Sequence, residues 1–132
     1  MGVYMTTYLE RVIDIENAFH LELEVLGRLR VNNSYDLYDY FGFGDNKGPF
    51  QLTSTVFDCS AKIERAYNED RHHHGCSDLF EVELEMLEKI QARIIADQGE
   101  DAGKQLTPII GLLREVNKEP NTTGRLVFWF QY

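Results

Sequence analysis

Cysteine is scarce in this chain of 132 residues: Cys59 and Cys76 are the only 2, and they form no CxxC pair. A disulfide framework is therefore excluded as the organising device, and a reducing compartment is the natural setting. The 3 prolines and 10 glycines are too few for a low-complexity or collagen-like segment. No apolar run approaches membrane-spanning length, and no charged leader followed by an apolar core opens the sequence, so a cytoplasmic protein without a membrane partner is expected. Gly42, Gly44 and Gly48 lack the spacing and the Lys-Ser/Thr of a phosphate loop. Gly-x-Ser-x-Gly elbows and dinucleotide-binding glycine series are missing as well, and no cofactor is expected.

Positive charge is also in short supply. The 13 basic residues against 22 acidic ones give a net charge of -9, which disfavours phosphate backbones as partners. Arg28 and Arg30 are the only close basic pair before the histidine run, so no recognition helix with a basic face can be drawn and no direct nucleic-acid binding is expected. The acidic residues are spread along the chain, without an acidic tail. Solubility accounts for such a balance; so does a basic partner, either a protein or a complex that itself binds nucleic acid.

What is present is enough for a core. An apolar fraction of 43% with 12% aromatic residues places residues 1–132 in one folded domain. The stretch Ser77–Gln98 predicts its central helix, because Leu79, Phe80, Val82, Leu84, Met86, Leu87, Ile90, Ile94 and Ile95 fill one broad arc at 3.6-residue spacing. Glu and apolar residues alternate over Glu81–Met86, as in a strand, but Leu87 breaks that period. A second helix is read over Met5–Arg30; the alternation of Phe19, Leu21, Leu23 and Val25 with polar residues is its rival, a strand.

Residues 50–57 predict a strand, Asp58 or Ser60 a cap for a short helix carrying Ile63, Ala66 and Tyr67, and Asn68–Gly75 a turn. Thr107-Pro108 opens a helix burying Ile109, Ile110, Leu113 and Val116, which Pro120 stops. The closing segment 125–132 is a strong strand former, expected to pair with 50–57 under a cover of helices. The predicted fold class is α+β, predominantly helical, with about four helices and a small two-stranded antiparallel sheet.

Three groups of residues bear on function. Tyr35, Asp36, Tyr38, Asp39, Tyr40, Phe43 and Asp45 crowd aromatic rings and carboxylates into one segment, the composition of a protein-binding surface; alternatively, the tyrosines cover the open end of a small core. Glu16, His20 and Glu83 fall in apolar arcs of the predicted helices, raw material for a carboxylate-histidine metal site. Cys59, His72, His74 and Cys76 offer ligand types that zinc accepts, without a spacing that fixes a site, and Cys76 ahead of the central helix would gain a lowered thiol pKa.

The expectation drawn from these is a non-catalytic acidic protein that inhibits or neutralises a basic partner, in the manner of an immunity protein set against a nuclease, toxin or defence complex. The alternatives are a small helical metal-binding protein or enzyme, and a structural subunit of a homo-oligomer, such as a homodimer joined through 125–132.

Overall fold

A computed structural model of the chain describes residues 3–15, 20–30, 35–42 and 59–132. In order, its elements are β1 (Tyr4–Ile15), β2 (His20–Leu29), α1 (Tyr35–Tyr40), α2 (Ala61–His73), β3 (Phe80–Glu83), α3 (Leu84–Gln98), α4 (Glu100–Gly103), a 3-10 turn (Lys104–Leu106), α5 (Thr107–Asn117) and β4 (Thr122–Gln131). The described strands form one antiparallel sheet in the order β2-β1-β4-β3. This corrects the expected fold class: the sheet has four strands rather than two, and it organises the molecule.

The region read as a first helix is the hairpin of β1 and β2. Thr6, Thr7, Val12, Ile13 and Ile15, with Tyr4 and Tyr8, suit a pleated surface. Helical packing on both sides of the sheet buries every residue from Met5 to Glu10, so the two-residue period of a half-exposed strand is erased over that stretch. The β2 alternation is real, and between Leu9 and Glu10 the register slips: Leu9 faces Gly27 while Glu10 faces Val25, leaving Leu26 as the extra residue of a bulge.

β4 lies between β1 and β3, with Leu126, Val127, Phe128, Trp129 and Phe130 all buried. Covered on both faces, it is the core strand its composition announces. Among the described residues both of its edges are occupied, by β1 and β3. Residues 50–57, its expected partner, lie outside the described residues.

The predicted central helix begins later than its apolar arc does. Residues 80–83 pair with β4 as β3, placing Phe80 opposite Phe128 and Val82 opposite Leu126, and α3 starts at Leu84. Gly99, at φ 97°, donates its N–H to the Ile95 carbonyl and ends the helix in a conformation that glycine adopts without steric cost. The short helix expected after residue 58 is the longer α2, with Ser60 at the N-cap position and its last turns in place of the expected turn. α5 starts at Thr107, one residue earlier than the capping pattern implied, with Leu106 at the N-cap position.

Two apolar layers result. On one face Met5, Leu9, Val82, Leu126, Phe128 and Phe130 pack under α3, α5 and the α1 rings. On the other, Tyr8, Val127 and Trp129 pack against Ile63 and Tyr67 of α2, with Tyr8 stacked on Trp129 at 5.8 Å.

Candidate functional site

The Tyr/Asp segment is anchored by its rings. Tyr38 and Tyr40 are each only 2% exposed, and Phe41 packs edge-on against Phe128. The Tyr38 hydroxyl accepts the Met5 N–H at 3.3 Å. The Tyr40 hydroxyl donates to Asp97 Oδ2 at 2.9 Å and accepts from Gln98 Nε2 at 3.4 Å. Burial, and after it the bond to Asp97, pushes the Tyr40 phenol above its ordinary pKa of 10.0. Both tyrosines therefore plug the core, as the alternative reading of this segment had it, and are not presented to a partner. Asp39 is half-buried on the same element. The backbone of Tyr35 and Asp36 is helical; Phe43 and Asp45 lie outside the described residues.

The Tyr40–Asp97 bond ties α1 to the C-terminal end of α3, so Asp39 stands on the same side of the sheet as the α3–α5 layer. Across that layer each basic side chain is already matched: Lys89 with Glu85, Arg93 with Asp97, Lys104 with Asp101, Arg114 with Glu88 and Lys118 with Glu115, at 2.7 to 3.6 Å. Glu100, at the start of α4, is exposed and meets no basic partner among the described residues, whereas the exposed Glu83 is in register with Arg125 and belongs to the opposite face of the sheet. Residues 84–118 carry six carboxylates against five bases, an excess of one negative charge.

A buried ionic centre lies at the opposite face. Glu10 has no exposed surface, and its Oε2 accepts the Ser60 backbone N–H at 2.8 Å. Arg125 Nε donates to Glu10 Oε1 at 2.7 Å, and the far side of the same guanidinium pairs with Glu81. Three neighbouring strands contribute one member each: β1 supplies Glu10, in register with Arg125 of β4, and β3 supplies Glu81, which shares their face two residues before Glu83, the other partner of Arg125. Both oxygens of Glu10 are engaged, so the group is built to hold the sheet to the start of α2 rather than to move a proton. Sequence reasoning missed this centre; a lone Glu inside the buried run Met5–Glu10 was the available signal.

The metal candidates are dispersed. Glu83 sits at the end of β3 and His20 at the start of β2, on opposite edges of the sheet, while Glu16 lies outside the described residues. Their grouping assumed two facing helices, which the strands replace. His72 and His74 are exposed at the end of α2, whereas Cys59 and Cys76 pack against the second apolar layer. Among the described residues no group of three or more His, Cys, Asp or Glu is placed to hold a metal ion. Cys76 bridges to Gln131 instead of leading into a helix, and burial, then Asp70, pushes its thiol above the ordinary value. The expected lowering of that pKa is thereby reversed.

Among the described residues no helix is long and apolar enough to cross a membrane. No protein-family model matches the sequence, and comparison with curated proteins and with solved structures returns no match.

Proposed function

We propose that the chain is a non-catalytic acidic binding protein that neutralises a basic protein partner, such as a nuclease, a toxin or a nucleic-acid-binding defence complex, in a reducing, cytoplasmic setting. The observation that carries this reading is the charge state of the α3–α5 side. Its lysines and arginines are each consumed by a neighbouring carboxylate, and Glu100 remains exposed beyond them. A surface of one sign steers an oppositely charged partner and selects against like-charged ones. Asp39 adjoins that side, and Asp36 and Asp45 belong to the same acidic segment of the sequence. With Tyr38 and Tyr40 engaged in the core, the proposal assigns steering to the carboxylates and leaves those two rings a supporting role. Cys59 and Cys76 form no disulfide, in keeping with the compartment.

The test is capture from source-cell lysate, with the protein held by a single biotin, at low and at high salt, followed by mass analysis. A stoichiometric basic partner released by salt is the expected result. Recovery of no partner, or of one retained equally at both salts, would overturn the proposal.

A further inference from the structure

Ahead of β3 the chain runs alongside the end of β4. The Ser77 N–H donates to the Phe130 carbonyl at 2.9 Å, the Phe130 N–H donates to Ser77 Oγ at 2.9 Å, and the Tyr132 N–H donates to the Gly75 carbonyl at 2.8 Å. Tyr67 adds a bond from its hydroxyl to the Ser77 carbonyl at 2.8 Å. These bonds fix the backbone around a recess of about 450 Å3, whose described lining includes Cys76, Ser77, Asp78, Phe80, Phe130 and Tyr132. The volume suits a small ligand or one long side chain.

The lining has a definite chemistry. Asp78 is exposed and meets no cation among the described residues; of the three aromatic residues that line the same recess, Tyr132 is exposed, Phe80 half-buried and Phe130 buried. A carboxylate beside aromatic rings recognises a delocalised planar cation: the guanidinium face stacks on a ring while its N–H fork pairs with the two carboxylate oxygens. Lysine, a compact and strongly hydrated charge, uses the rings less well. Two opposite charges, Asp70 and Arg71, act on the Cys76 thiol of the lining. Asp70 accepts the Trp129 indole N–H at 3.0 Å, and the Arg71 guanidinium lies over the Tyr67 ring at 5.8 Å. The net charge of -9 adds a long-range attraction for any cation approaching the mouth.

We infer that this recess receives an arginine side chain of the basic partner. The inference rests on the acidic-binding reading and supplies its contact chemistry. It is tested by titrating the intact, isotopically labelled protein with arginine amide, and separately with citrulline amide, the neutral isostere, while following backbone amide shifts. Arginine amide is expected to move the amides of Ser77, Asp78 and Tyr132, with affinity falling about tenfold for citrulline amide and for the Asp78→Asn variant. Asp78 is exposed, so that variant retains the wild-type spectrum away from the recess. Equal affinity for the two amides, an unchanged affinity in Asp78→Asn, or shifts confined to other parts of the molecule would each overturn the inference. The two readings fail separately. A salt-released basic partner with no arginine amide binding sinks the recess alone; arginine amide binding without any basic partner sinks the functional reading and leaves a guanidinium site.

Discussion

Replacing Arg125 by methionine is the sharpest perturbation of the fold. The side chain is 12% exposed and joins Glu10, which is fully buried, to Glu81, at 28%. Methionine fills much the same volume but leaves Glu10 with the Ser60 N–H as its remaining hydrogen-bond partner, in a site where water cannot replace the guanidinium. Removing one member of a buried pair costs roughly 3–5 kcal/mol, a large share of the 5–15 kcal/mol that holds a domain together. The double variant Glu10→Gln/Arg125→Met removes the stranded charge and keeps an oxygen for Ser60, so it recovers about 2 kcal/mol of that loss. Urea unfolding followed by the fluorescence of Trp129, the 1 tryptophan of the chain, measures both. An Arg125→Met variant within about 1 kcal/mol of wild type, or a double variant no more stable than the single, would refute the reasoning.

Other consequences follow from individual groups. The Thr7 hydroxyl is fully buried and has no hydrogen-bond partner among the described residues, so Thr7→Val is expected to raise stability by about 1 kcal/mol in the same urea assay; a loss of stability would show that the hydroxyl is satisfied. A Cβ on Gly124 would stand 3.0 Å from Leu113 Cδ2 and 3.1 Å from Val116 Cβ, so Gly124→Ala is expected to cost roughly 1–3 kcal/mol, measured as a fall in the urea midpoint. Burial raises the phenol pKa of Tyr40 and of Tyr67 above the ordinary 10.0. The folded state therefore holds these protons more tightly than the unfolded state does. Their contribution is fully present below about pH 10 and is lost as pH rises through the raised folded values. Tyrosinate absorbance combined with urea unfolding should show the decline, and Tyr40→Phe/Tyr67→Phe should flatten it.

Legibility in the sequence followed exposure. β4, α2 and α5 were readable because composition or a helical period marks them directly, and the start of β2 was readable as an alternation of Leu and Glu. β1 was not: Met5 to Glu10 are buried whichever way their side chains point, so a strand between two helical layers loses the period that identifies strands. Its later residues then merged with β2 into an apparent helical arc. β3 was hidden by its junction with α3, where Phe80 and Val82 satisfy the helical arc and the strand pairing alike. The Tyr/Asp segment announced an unusual composition but not its direction; the rings of Tyr38 and Tyr40 turn inward because the sheet end beneath them offers Met5, Phe130 and the end of α3 to cover. The Glu10–Arg125 pair joins residues 115 apart in sequence and needed the sheet order before it could be seen.

The most direct test of the central claim is the association rate of the captured partner as a function of ionic strength, for wild type and for Glu100→Gln. The substitution is at an exposed position and breaks no ion pair among the described residues. The account expects the wild-type rate to fall by about tenfold or more from low to physiological salt, and the variant to start lower with a shallower slope at unchanged stability. An association rate insensitive to salt, or identical in wild type and variant, would contradict an acidic surface as the basis of recognition.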